Sequence, residues 1–344
     1  MERRTFLTAM GGAAMSGEGS ARAGETNAMQ DFFRTLTPPQ ETVRGEMRYR
    51  KFGRHGDEIS AIGVGGFHIG SPKDPAESTR IIRTAVDAGV TFLDNSWDYH
   101  DGGSEVRMGN ALKEGYREKV FLMTKIDGRT KKLAAKQIDE SLKRLQTDRI
   151  DLMQHHEVIR LEDPDMIFNE GGAQEAMLEA QKAGKIRYIG FTGHKDPMVH
   201  LRMLETADKH GFLFDAVQMP INVMDAHFRS FTQHVVPRLV EKGIAVLGMK
   251  SMGGGEILKS NSATPTECLH FALTMPTSTV ISGMEKLEVL KKNLKAVKNF
   301  NPLSADEIAA ILAKTSGHAV AGKFEGFKTT SRYDATARNH HWLE

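Results

Sequence analysis

From about residue 47 the chain alternates between short apolar runs and longer amphipathic stretches. The apolar runs cover 61–64, 91–93, 120–124, 150–153, 186–191, 216–219, 244–249 and 279–281. Each is short and rich in Val, Ile, Leu and Phe, and continuous rather than alternating. That is the pattern of strands buried on both faces. Between them, 133–145 carries Ala134, Ile138, Ser141, Leu142 and Leu145 on one helical face, and 78–88 does the same with Ile82, Ala85 and Val86. Gly89, Gly184, Gly211 and Gly243 stand just past helix ends, where a left-handed cap is expected.

Eight strand–helix units in series imply an α/β fold with a parallel sheet and right-handed crossovers. Eight is also the number that closes a (β/α)8 TIM barrel of roughly 250 residues, and 47–303 has that length. An open doubly wound sheet would want G-x-G-x-x-G after its first strand. Here Gly63-Val64-Gly65-Gly66-Phe67 leads to His68 at the third glycine position, so the barrel is preferred. Ahead of it, 48–52 and 58–61 flank a Gly-containing turn, which predicts an N-terminal β-hairpin plugging the barrel's amino-terminal end. Behind it, 305–314 reads as a helix. Residues 316–344 read as a polar tail, of which 328–344 either folds over the mouth or mediates contacts, making 304–344 a C-terminal helix and tail.

The composition, 40% hydrophobic and 26% charged over 344 residues, is that of a globular protein. A net charge of +2 without a long basic run argues against nucleic acid as the main partner. No apolar run approaches the roughly 18 residues of a membrane span. The single cysteine, Cys268, rules out an intrachain disulfide and a cysteine-ligated metal site. At the start, Arg3-Arg4 precede Phe6-Leu7, a mildly apolar segment, and a small-x-small site at Ala21-Arg22-Ala23. Residues 1–23 are read as a twin-arginine signal, which implies export in folded form to the periplasm or beyond. The plainer reading is a basic tail on a cytoplasmic protein. Residues 24–46, with Pro38-Pro39, read as a linker.

The carboxyl ends of barrel strands converge on one mouth. Reading those ends gives Asp94 with Tyr99 just beyond (second strand), Lys125 (third) and His156 (fourth). Each has a plain explanation alone: a cap, a surface aromatic, a snorkelling lysine, a core histidine. Together they form a coherent set. An ammonium beside a phenol is expected to lower its pKa, and a carboxylate holds the ammonium in place. An imidazole beside both can orient a carbonyl oxygen.

Here the chain resembles the aldo-keto reductases. The resemblance rests on Phe92-Leu93-Asp94 with Tyr99, on Thr124-Lys125, and on Ser141-Leu142-Lys143-Arg144-Leu145 leading to Asp151-Leu152-Met153-Gln154-His155-His156, and it covers about residues 47–297. It implies reversible reduction of an aldehyde or ketone, with hydride from a nicotinamide cofactor, usually NADPH, and a proton from Tyr99. It makes Asp94, Tyr99, Lys125 and His156 catalytic, with His156 rather than His155 the match. For the nicotinamide carboxamide it implies Thr192 and Gln218. The family's usual asparagine after Thr192 is missing, and His194 is the candidate substitute. Met249 stands where an aromatic commonly packs on the ring, and Lys250, Met252 and Gly253 follow toward the pyrophosphate. Gly283, Met284 and Asn293 match the adenosine end. Val289 replaces the usual arginine, leaving Lys286 to meet a 2′-phosphate, so NADP is expected over NAD from the resemblance alone. Phe67 and Trp97 would line the mouth for a small carbonyl or sugar substrate. Two further readings stay open: an exported enzyme that recycles a tightly held cofactor, and a cofactor-sensing regulatory subunit without turnover.

Overall fold

The computed structural model describes residues 32, 33 and 35–344. The twin-arginine pattern lies outside the described residues. Eight strands close a parallel barrel: β4 (Ile62–Gly65), β5 (Phe92–Asp94), β6 (Phe121–Ile126), β7 (Ile150–His155), β8 (Ile186–Thr192), β9 (Ala216–Pro220), β10 (Ala245–Met249) and β11 (Thr279–Gly283). Each coincides with one of the eight apolar runs to within a few residues. Continuous runs are what this architecture demands, because the inner face packs the barrel core and the outer face meets helices. Pro75–Asp87, for instance, starts on an Asp74 cap, and Pro265–Thr274 starts on a reciprocal Thr264–Glu267 capping box. The glycines at 89, 184, 211 and 243 all have positive φ, as expected past helix ends.

The hairpin is larger than its sequence pattern. β2 (Met47–Lys51) and β3 (Glu58–Ser60) form it, but β1 (Glu41–Arg44) adds a third antiparallel strand within the stretch read as a linker. β1 is polar and largely exposed, so it carries no apolar signal. Its Glu41 carboxylate instead accepts from Arg48 and from the buried Arg50. The plug itself is apolar. Phe52 and Ile59 are fully buried among Phe92, Phe121, Leu152, Ala245 and Leu247, with the Phe52 and Phe121 ring centroids 4.8 Å apart.

The C-terminal segment is also more ordered than a polar tail. The helix Ala305–Ser316 leads into short helical turns at Gly326–Thr329 and Ala335–Arg338. Phe327 and Lys328 are buried to 1% exposure. The Lys328 ammonium donates to Asp225, Glu325 and the Phe228 carbonyl. This segment packs across the carboxyl-terminal mouth, against Glu157, Lys195 and Lys250.

Candidate active site

Three consecutive strands carry chemistry to the mouth. β5 ends at Asp94, and the loop after it holds Asn95, Ser96, Trp97, Asp98 and Tyr99. Asp94 is not the cap of the next helix; that position is Gly102, at φ 84°. Its Oδ1 instead accepts from the Lys125 ammonium at 2.5 Å. Lys125, from β6, is 1% exposed and also donates to the Asn95 carbonyl at 2.6 Å. Its third contact is the Tyr99 hydroxyl at 3.3 Å. The ammonium thus has a fixed position beneath the phenol oxygen, because two shorter bonds hold it there.

His156 follows β7 and packs edge-on against the Tyr99 ring, centroids 5.7 Å apart. Its Nδ1 lies 2.9 Å from Asp127 Oδ1, 3.2 Å from Ser96 Oγ and 3.4 Å from Asp98 Oδ1. Nε2 forms no hydrogen bond among the described residues, which leaves it as the edge available to a ligand. His155, one residue earlier, turns into the core. It bonds Gln174 at 2.9 Å, and burial pushes its pKa down to about 3.

The electrostatics correct one expectation. Lys125 was expected to lower the Tyr99 pKa, but the phenol is held well above its ordinary value. Burial is the main cause, followed by Asp94, Asp98, Glu157 and Asp127. Asp98 and Asp127 are themselves pushed up to about 7, chiefly by burial. His156 is shifted down by burial, against the pull of Asp98 and Glu157.

The next strands supply unpaired polar atoms. Thr192 ends β8, Gln218 lies opposite it in β9, and both are buried. Thr192 Oγ1 and Gln218 Oε1 have no hydrogen-bond partner. An orphaned buried acceptor costs free energy unless a ligand satisfies it, and an amide group suits this pair. Gly193 follows instead of the family's asparagine because a Cβ there would run into the Val158 carbonyl. His194 is no simple replacement, since its Nδ1 faces the Phe327 carbonyl at 3.1 Å.

After β10, Met249 and Met252 are half-buried, and Lys250 takes a left-handed φ of 55°. The Lys250 ammonium lies 5.5 Å from the Phe327 ring centroid and 5.6 Å from that of Tyr333. Burial, foremost, lowers its pKa to about 8. Gly253 has φ 59° and packs against Ile257. At the far end the placements diverge. Gly283 lies under the His68 ring, and Met284 is wholly buried. Asn293 donates back to Ser282 Oγ at 3.1 Å, and Lys286 is exposed at the start of its helix. Asn293 therefore braces the strand end.

At the rim, Phe67 is 53% exposed and stands edge-on to Tyr99, centroids 5.5 Å apart. Trp97 donates to Glu140 at 2.7 Å and meets Trp342 of the tail edge-on at 5.3 Å. Sequence reasoning offered the tail over the mouth as one of two readings but named none of the contacts that hold it there. The buried Glu157 carboxylate accepts from the Ala335 and Thr336 amides and the Thr336 hydroxyl, each at 2.8 Å. Lys195 reaches Asp334 at 2.7 Å. Asp98 and Asp127 were missed as well; the only available signal was two acidic residues beside two catalytic candidates.

Comparison with known proteins bears on the family and the fold. The family model described as Aldo/keto reductase family matches residues 61–266. Aldo-keto reductase YhdN of Bacillus subtilis (strain 168) is 38% identical over a stretch covering 42% of this chain, and the chain spans just 47% of that protein's length. The uncharacterized oxidoreductase YqkF of the same organism is 26% identical, with 78% of this chain and 97% of that protein covered. Among solved structures, the holo form of aldo-keto reductase AKR11C1 from Bacillus halodurans superposes with a TM-score of 0.66 at 24% identity, covering 78% of this chain and 96% of the other. At that identity the likeness speaks for the fold.

Proposed function

The chain belongs to the aldo/keto reductase family and is an oxidoreductase of that type; from that premise we propose that it reduces an aldehyde or ketone to an alcohol, reversibly, with NADPH preferred. The observation that carries this is the Lys125 ammonium, buried between Asp94 and the Tyr99 hydroxyl at the strand ends. Tyr99 stays protonated in this surrounding and is the proton donor to a carbonyl oxygen. Lys125 stabilises the phenolate left behind, and Asp94 fixes Lys125. His156 turns Nε2 to the same oxygen. A nicotinamide cofactor, when bound, supplies the hydride. Gln218 Oε1 and Thr192 Oγ1 suit its carboxamide, and Lys250 suits its phosphates as a point charge. Phe67 and Trp97 form an apolar rim for a small carbonyl or sugar substrate.

The covering tail favours a second feature. Glu157, Lys195 and Lys328 tie it down over the mouth, which suits a cofactor kept through many turnovers. Such retention fits the export that Arg3-Arg4 and Ala21-Arg22-Ala23 suggest, since soluble NADPH is not resupplied outside the cytoplasm. The test is a fluorescence titration of the purified chain with NADPH and NADH, followed by addition of 4-nitrobenzaldehyde. Absorbance loss at the cofactor band that vanishes in Tyr99→Phe supports the reading. Failure to bind either cofactor overturns it. Protein that purifies with cofactor already bound supports retention, and cleavage after Ala23 in the native host supports export.

A further inference from the structure

Three oxygens converge on one imidazole nitrogen. His156 Nδ1 has Asp127 Oδ1 at 2.9 Å, Ser96 Oγ at 3.2 Å and Asp98 Oδ1 at 3.4 Å. A ring nitrogen carries one proton at most and cannot satisfy both carboxylates, while the Ser96 hydroxyl can itself donate. Asp98 Oδ1 faces Nδ1 without making a hydrogen bond, on a side chain with 9% relative exposure. Asp127 is wholly buried, and its other oxygen, Oδ2, has no partner either. Among the described residues no lysine or arginine side chain pairs with either carboxylate, and His156 is the basic group they share. Lys125 is committed to Asp94, and Arg129 bonds the Asp127 backbone carbonyl and Asp163. Unpaired carboxylates buried side by side are costly, and in proteins they are paired or coordinate metals.

We propose that Asp98, Asp127 and His156 Nδ1 form a binding site for a divalent transition-metal ion. The three ligand atoms lie within 4.8 Å of one another. An ion about 2.1 Å from Nδ1 and Asp127 Oδ1 would see their 2.9 Å separation under roughly 90°, and the Asp98 side chain, within a triad spanning 4.8 Å, would rotate inward to complete the set. The mixed nitrogen–oxygen set suits Zn²⁺ or Mn²⁺ better than Ca²⁺ or Mg²⁺, which favour oxygen alone. Asp98 also lines a cavity of about 170 Å³, walled by Trp97, Asp101, Arg144 and Trp342, which provides an entry path.

The ligands come from the loops after β5, β6 and β7, so the ion would clamp three neighbouring strand ends together. It would also fix the imidazole. With Nδ1 ligated, the ring proton sits on Nε2, the tautomer that can donate to a substrate oxygen. That consequence rests on the reductase reading; the site itself does not.

The test is metal binding by the full chain after treatment with a chelator, titrated separately with ZnCl₂ and MnCl₂ by calorimetry. Bound metal is counted by elemental analysis. The expected result is about one ion per chain, with affinity reduced at least about tenfold in both Asp98→Asn and Asp127→Asn. Asp101→Asn, an exposed change on the same loop, should bind like the parent. If Asp127→Asn fails to fold, Asp98→Asn alone decides, with circular dichroism showing its fold intact. Sub-stoichiometric binding by the parent, or unaltered binding by Asp98→Asn, overturns the proposal. NADPH titration of the same samples keeps the two readings separate: its failure removes the reductase reading and leaves the metal result standing.

Discussion

The two ends of the barrel treat buried polar groups in opposite ways. At the amino-terminal end the carboxylates are paired. Asp215 accepts from Arg54, His55 and the Ile189 amide. Asp57 takes Arg187 and Tyr188, and Asp151 takes Arg117, Arg187 and the Leu122 amide. At the mouth, Thr192 Oγ1, Gln218 Oε1 and Asp98 Oδ1 lack partners, and Lys250 rests on aromatic faces. The same strands supply both ends, so composition is not the cause. One end is finished by the chain itself, and the other is left to be completed by what binds there.

That contrast can be broken in four ways. The largest effect is expected from Tyr99→Phe, which should lower carbonyl reduction by about 10²–10⁴-fold while NADPH titration stays unchanged. A parallel loss of cofactor affinity would show that the phenol serves binding rather than proton transfer. Next is Asp215→Ala at the finished end. It leaves Arg54 and a backbone amide without their acceptor and should cost about 3 kcal/mol in urea unfolding, with cofactor affinity unaltered. Third is Gln218→Met. Because Oε1 has no partner in the free protein, unfolding stability should hold or rise slightly. NADPH affinity should fall about tenfold, the equivalent of one hydrogen bond of ~1.4 kcal/mol. A clear loss of stability would mean that Gln218 serves the fold.

The smallest effect is a fraction of a proton. Lys250 has its pKa lowered to about 8 from an ordinary 10.5. Between those values the unfolded chain holds more protons at this site, so its contribution to stability rises with pH across that window. Below about 8 the full cost of burying the charged form is present. A cofactor pyrophosphate favours the charged form, so NADPH binding at pH 8.5 should take up protons. Calorimetry in buffers of different ionisation enthalpy measures this, and Lys250→Met should abolish it.

The barrel was legible because each buried strand is a continuous apolar run, a signal local enough to read in a single pass. The strand ends were legible for the same reason: Asp94, Lys125 and His156 stand where such runs stop. What escaped was held by distant polar partners. β1 is fixed by Glu41 reaching Arg48 and Arg50, and the tail by Glu157 reaching Ala335 and Thr336. Neither leaves a periodicity. The Tyr99 environment was misjudged because Asp98, Asp127 and Glu157 meet around it only after β5, β6 and β7 lie side by side. Gly193 shows the converse. The missing asparagine looks like a loss in sequence, while in space the Val158 carbonyl leaves no room for a side chain.

Lys250 has one more consequence. Its ammonium is shared between the mouth and two tail aromatics, Phe327 and Tyr333. Any anion bound there acts on the tail's hold through this ammonium, and the tail acts back on the anion. Thermodynamic reciprocity makes the two free energies equal. Protease sensitivity of the last twenty or so residues therefore becomes a gauge of occupancy that needs neither a chromophore nor turnover.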